Sequence, residues 1–258
     1  MASETRIDPM HQFQIDPMVG GLDGSPFAFT NSALWMLIVL ATIWLFMMGG
    51  LKRELVPGRW QMAVEGVTGF VDSMLKVNVG PEGRKYVAWV FTLFMFILTA
   101  NILGMMPFAL IPGVHAFTVT SQFTVTGVLA IISFSIVLIV GFWRHGLHFF
   151  SLFVPSGTPL ILKFIIVPIE FVSFMVRPFS LALRLFVAMI AGHILVEVFA
   201  NFVVQGLNAG GVVGPAVSLL SFVFIMGVMA LELLVCAIQA YVFALLTSLY
   251  INDAVNLH

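Results

Sequence analysis

Charge is scarce in this chain. Only 9% of its 258 residues are Asp, Glu, Lys or Arg, against roughly 25% in soluble domains. Eleven basic and twelve acidic residues leave a net charge of −1, which excludes the basic footprint of a nucleic-acid binder. There is one cysteine, Cys236, within an apolar stretch. No internal disulfide can form, and without a Cys/His cluster no metal site is expected. The sequence has no Walker motif, nucleophile elbow or Gly-rich phosphate loop. Gly20-Gly21 and Gly49-Gly50 fall in a tail and at the end of an apolar run, and read as turns only. Neither ATP hydrolysis, covalent chemistry nor a cofactor is therefore expected of the chain by itself. The first thirty residues carry acids and two Asp-Pro pairs before any apolar run. A signal peptide would open on a basic region instead. The expected organisation is an outward-facing segment over 1–30 and a single membrane domain over 31–258.

What the chain has in excess is apolar length. Hydrophobic residues make up 60% of it and the mean hydropathy is +1.09, so an all-α polytopic membrane protein is expected. Five hydrophobic segments can be drawn, over 33–51, 86–106, 120–143, 160–205 and 212–252. About twenty residues cross a bilayer core, and the first three segments fit that length. The last two are about twice as long. Each is then either a pair of helices joined by a break, for which Pro178 is a candidate in the fourth, or one long helix strongly inclined to the membrane normal. The inclined pair, packed antiparallel as a hairpin through Gly206, Gly210 and Gly211, is the expected form. Between the first two segments, Trp60, Ala63, Val64, Val67, Phe70, Val71, Met74 and Leu75 recur at helical spacing, with Gln61, Glu65, Thr68 and Asp72 opposite. That pattern predicts an amphipathic helix lying in the interface plane, or one docked on another subunit. Lys and Arg fall in the first loop (Lys52, Arg53, Arg59, Lys76, Arg84, Lys85) and the third (Arg144, Lys163), and neither occurs in the second. The positive-inside rule then puts those loops and the C-terminus in the cytoplasm and the N-terminus outside.

Arg184 lies in the middle of an apolar run of about forty residues, 164–205. Arginine keeps its proton, and at the centre of a spanning helix it costs about 2.5–3.5 kcal/mol. Such a charge is tolerated where it faces a partner, a water-filled cavity or an ion path. At 100° per residue, Glu170, Ser173, Arg177, Ser180, Ala188 and Ala191 fall within about 40° of Arg184. Small residues there let another helix approach closely, either a partner's or this chain's own last helix. His193 lies on the opposite side of the wheel, with Glu197 about 40° from it. On the last segment, Glu232, Gln239 and Tyr250 form one line, with Asp253 near its end. A buried carboxylate needs a companion or water, and His193 is placed to be the companion of Glu232. Carboxylate and imidazole suit a proton relay; the bland alternative is a hydrogen-bonded pair that only joins the helices.

Three motifs carry a resemblance. Ser180-Leu-Ala-Leu-Arg184-Leu-Phe-Val-Ala-Met-Ile-Ala-Gly192-His193 closely resembles the signature of the ATP synthase subunit a family. Asn101-Ile-Leu-Gly-Met-Met-Pro107 is similar to the family's Asn-Leu-Leu-Gly-Leu-Leu-Pro, and Ala230-Leu-Glu232 through Gln239-Ala-Tyr-Val-Phe-Ala-Leu-Leu-Thr247 resembles its final helix. The resemblance covers most of the chain from about Phe27. It implies a proton-translocating stator subunit in a bacterial inner membrane, with two aqueous half-channels that end at different depths. Its partners would be a c-ring, b-type peripheral stalk subunits, the F1 sector indirectly and membrane lipids, and no nucleic acid. Carried over by motif, Arg184 is the essential charge that meets the ring carboxylate and separates the channels. Gln239 is similar to the glutamine facing it. Glu232 and His193 would line the outer half-channel and Glu170 the inner, with Glu197, Asp253 and Ser173 as further polar positions on the path. Two departures stand out. Many bacterial members place Glu where this chain has His193 and His where it has Glu232, and Ala188 replaces an Asn common in the family.

Two other classes compete. A secondary transporter with an arginine-centred anion site would favour an inverted repeat and broken helices, and the two halves show no convincing repeat. A purely structural anchor would have no use for Glu170, His193, Glu197 and Glu232 at membrane depth.

Overall fold

The computed structural model describes residues 29–50, 58–106, 118–154, 160–209 and 213–256. Residues 1–28 of the expected N-terminal segment, Lys52, Arg53, most of the second loop, Gly210 and Gly211 lie outside these residues. Within them the chain is all α. Six helices follow in order: α1 (Asn31–Gly50), α2 (Arg59–Asn78), α3 (Val87–Met105), α4 (Phe123–His145), α5 (Leu160–Asn208) and α6 (Val213–Val255). Short 3₁₀ turns precede α3 (Pro81–Tyr86), precede α4 (Val119–Ser121) and follow α4 (Gly146–Phe153). Five of the helices, all but α2, are long and apolar enough to cross a membrane.

The two candidate forms of the long segments are now separated. α5 is one helix of 49 residues and runs through both Pro168 and Pro178. Each proline removes one backbone donor, but a helix in lipid re-satisfies the freed carbonyl locally, and here no break results. At 1.5 Å per residue α5 is about 74 Å long, against a hydrocarbon core of about 30 Å. A continuous helix of that length cannot stand upright inside the core. α6, with 43 residues, has the same excess. The two share the most extensive helix–helix contact in the fold. Gly206 and Gly214 close the hairpin: a Cβ on Gly206 would meet Gly214 O at 2.7 Å. Ser218 Oγ donates across the junction to Val203 O at 2.9 Å.

α2 carries the predicted apolar face. Val64, Val71, Met74 and Leu75 are buried, while Phe70 reaches Phe94 of α3 and Tyr241 of α6. The reading of Gly49-Gly50 as a turn is corrected. Both belong to the last turn of α1, and side chains there would strike Trp60 and Val64 of α2. Their smallness seats α2 against α1, where Trp60 Nε1 donates to Phe46 O at 2.9 Å. The core is continuous from Val71 and Leu75 through Val90 and Ile97 to Leu185, Met189, Phe243 and Ile251. Leu219, Leu220, Phe222, Val223, Leu231 and Leu234 of α6 are exposed, as lipid-facing or partner-facing helix surface is.

Polar contacts sort the helix ends onto two faces. On one face, Arg144 pairs with Glu82 through both guanidinium nitrogens, His145 Nε2 contacts Val255 O at 3.2 Å, and Asn78 Nδ2 donates to Ser248 Oγ at 2.8 Å. On the other, Ser32 Oγ donates to Gln122 Oε1 at 2.9 Å. The start of α1 and the end of α6 are therefore on opposite faces, as five crossings require.

Candidate functional site

The sequence places polar residues on two sides of α5, and the fold gives each side a different surrounding. Arg184 is exposed, together with Ser173, Ser180 and Ala191; Glu170, Arg177 and Ala188 are half-buried. The stripe is therefore open at Arg184 and reaches α6 at Arg177, which meets Tyr250 and Asp253. Small residues flank an outward-facing guanidinium, and Arg184 has no ion pair among the described residues. Leu181, Leu185 and Met189, about 60–140° round the helix from Arg184, enter the core.

Arg177, two helical turns before Arg184, is held in the opposite way. Its Nη1 donates to Asp253 Oδ2 at 2.8 Å, and its Nη2 lies 3.6 Å from Glu170 Oε1. The guanidinium also stands over the rings of Phe174 and Tyr250, 5.5 and 5.2 Å from their centroids, at the distance of a cation–π contact. Two of the predicted path residues, Glu170 and Asp253, are thus joined through a cation whose pairing role the sequence did not reveal. Position on the wheel put Arg177 beside Glu170, but Asp253 lies 76 residues away in sequence.

His193 turns towards α6. Its Nδ1 lies 3.4 Å from Glu232 Oε1, with the Glu232 side chain 5% exposed. That is ion-pair distance without hydrogen-bond geometry, and Glu232 Oε1 has no hydrogen-bond partner among the described residues. The other edge of the ring is hydrogen-bonded: Nε2 and Thr118 Oγ1 are 2.6 Å apart. Thr118 donates when Nε2 is bare and accepts when it carries the proton. Two glycines make room for this line. A Cβ on Gly192 would sit 2.7 Å from Glu232 Oε1 and 2.8 Å from its Cδ, and one on Gly104 would sit 2.6 Å from Thr118 Cγ2.

Around this line lies a buried polar layer. Asn101 is fully buried; its Oδ1 accepts from Thr120 Oγ1 at 2.7 Å and its Nδ2 donates to Cys236 O at 3.4 Å. Ser121 Oγ donates to Thr118 O at 2.6 Å. Asn101 and Gly104 of the Asn101–Pro107 motif therefore shape the seat of Thr118 and Thr120. Thr118, which completes the His193 contact, carried no signal in the sequence. Gln239 is half-buried on α6, seven residues beyond Glu232, and Glu197 is half-buried one turn beyond His193. The predicted His193–Glu232 pair forms, and Ser173 stays apart from it on the Arg184 stripe. No group of three or more His, Cys, Asp or Glu side chains suited to a metal ion occurs among the described residues.

Comparison with known proteins decides the family. Residues 32–252 match the family described as ATP synthase A chain. The chain belongs to that family. It is 65% identical to the ATP synthase subunit a of Sphingopyxis alaskensis over the whole of both chains. It is 56% identical to that of Zymomonas mobilis, again over the whole of both, and 47% identical to that of Mesorhizobium japonicum over 97% of each. The chain is accordingly a multi-pass inner-membrane subunit of the membrane sector of an F-type ATP synthase. The secondary-transporter reading falls with this result.

Proposed function

We propose that this subunit is the proton-conducting stator of its synthase and that Arg184 separates two aqueous half-channels at the surface of a rotating c-ring. The observation that carries the reading is the contrast between two arginines on one helix face. Arg177 is bound by two carboxylates and two rings. Arg184 is exposed among small residues with no ion pair among the described residues. A fixed charge left open at membrane depth is expected to meet its counter-charge on a partner, and the small stripe lets a partner helix come close. The ring carboxylate is held ionised as it passes Arg184, and takes or gives a proton on either side.

His193 and Glu232 are then the outer path, with Thr118 behind the ring nitrogen. A titratable ring touching a buried carboxylate on one edge and a hydroxyl on the other can pass a proton by exchanging donor and acceptor roles. Glu170 and Asp253, gathered by Arg177, belong to the inner path, and Gln239 faces the ring beside Arg184. The face that carries Lys76, Arg84, Lys85 and Arg144 is cytoplasmic by the positive-inside rule, with 31–258 as one membrane domain and the N-terminus outside. The b-type stalk subunits hold the chain against the ring, and the F1 sector is reached through them.

The test is cysteine cross-linking in the assembled complex. Ser173→Cys, Ser180→Cys and Ala191→Cys should each form a disulfide with a cysteine placed beside the ring carboxylate. Exposed positions on α6 such as Leu219→Cys should not. Cross-linking from α6 and none from the α5 stripe would place the ring elsewhere.

A further inference from the structure

A cavity of about 520 Å³ opens where the 3₁₀ turn before α3 meets the end of α4, within the ~300–1,000 Å³ range of small-molecule sites. It is remote from His193 and Glu232, and the proton path makes no use of it. Its polar wall is Glu82, Lys85 and Arg144; its apolar wall includes Ile139 and Trp143. Two cations face one carboxylate, which leaves one positive charge. Arg144 spends two donors on Glu82 of the five that a guanidinium has. Lys85 Nζ only just reaches Glu82, at 4.0 Å, and its side chain is 75% exposed. Arg144 is kept in place because the next residue, His145, contacts Val255 O at the end of α6.

The depth of this cavity is set by the helices. Pro81–Tyr86 leads directly into α3 and Arg144 lies in the last turn of α4, so the charges lie where two spans leave the hydrocarbon. Trp143 is 88% exposed at that level, where tryptophan is enriched in membrane proteins. Ile139 lies one turn deeper. Ile132 and Val128, seven and eleven residues before it, continue an exposed aliphatic track along α4. Cation, amphipathic ring and aliphatic track therefore follow one another from headgroup depth inwards.

We propose that this cavity binds an anionic glycerophospholipid. The phosphodiester sits against Lys85 and the free donors of Arg144, the glycerol region lies against Trp143, and an acyl chain runs along Ile139 and Ile132. Basic pockets between spans at the membrane surface recognise lipid phosphates in this way. Zwitterionic lipid, whose headgroup brings its own cation, binds less well.

The test uses the intact synthase in vesicles that contain a phosphatidylglycerol with a photoactivatable headgroup, or the matching phosphatidylcholine, with labelled peptides mapped by mass spectrometry. The anionic probe should label Tyr86 and Trp143 in excess of the zwitterionic one. Lys85→Gln should cut that excess about fivefold, the factor given by about 1 kcal/mol per basic residue at an anionic surface. Lys76→Gln, which removes an exposed cation paired with Asp72 on α2, should leave the excess unchanged. Four results would each overturn the assignment: equal labelling by both probes, an excess that survives Lys85→Gln, an excess abolished by added inorganic phosphate, and cross-linking of another subunit at the cavity in place of lipid.

Discussion

Replacing Gly192 with alanine tests the proton path without touching a titratable group. The new methyl would stand 2.7 Å from Glu232 Oε1, whereas ordinary contact begins at 3.4 Å. The carboxylate must therefore retreat by 0.7 Å, the difference of those two distances. What the methyl meets is the end of a side chain and not backbone, so α5 and α6 should stay packed and assembly should survive. Function should not. Glu232 Oε1 starts 3.4 Å from His193 Nδ1, and misplacement by about 1 Å can cost about a hundredfold in a positioned reaction. Passive proton flow through the membrane sector, measured in vesicles under an imposed pH gradient, should fall between about tenfold and a hundredfold. Glu232→Asp shortens the side chain by one carbon and should relieve the clash. Gly192→Ala with Glu232→Asp should therefore lose less than the two single losses combined in free-energy terms. Unchanged flow in Gly192→Ala, with the complex assembled, would refute the claim that the position of Glu232 matters.

Two further outcomes follow from the same geometry. His193→Ala and Glu232→Gln should each slow passive proton flow, the double variant should fall short of additivity, and the exchange to Glu at 193 and His at 232 should recover more flow than either single change; strict additivity without rescue would show two separate groups. Gly214→Ala should act on the fold instead, because its methyl would meet the side chain and backbone of Ala209 across the hairpin; overpacking of about 1–3 kcal/mol should lower the amount of assembled subunit in membranes, and a normal yield would show that the junction is looser than described.

Much of this protein was legible because lipid simplifies the code. Where most residues are apolar, each polar one is informative, and helical periodicity alone put Arg184 and His193 on opposite sides of α5. The structure gives those sides their meaning: one leaves Arg184 open and reaches α6 through Arg177, the other meets α6 at Glu232. Helix lengths were equally plain, but whether Pro178 broke α5 was not, since a proline's effect depends on neighbours that re-satisfy its carbonyl. Contacts between distant segments stayed hidden. Thr118 reaches His193 across 75 residues, and nothing in its local sequence marks it. Gly49 and Gly50 misled because a glycine pair that ends an apolar run looks the same whether it turns the chain or admits a neighbouring helix.

The central claim is that the open charge of Arg184 couples proton passage to the ring, and its most direct measurement is proton-driven ATP synthesis in vesicles carrying Arg184→Ala or Arg184→Lys. Both variants should assemble, because the side chain is exposed and has no ion pair among the described residues, yet both should fail to make ATP. Alanine removes the counter-charge. Lysine lacks the planar fork and can lose its proton when desolvated. Normal synthesis in either variant would contradict the account.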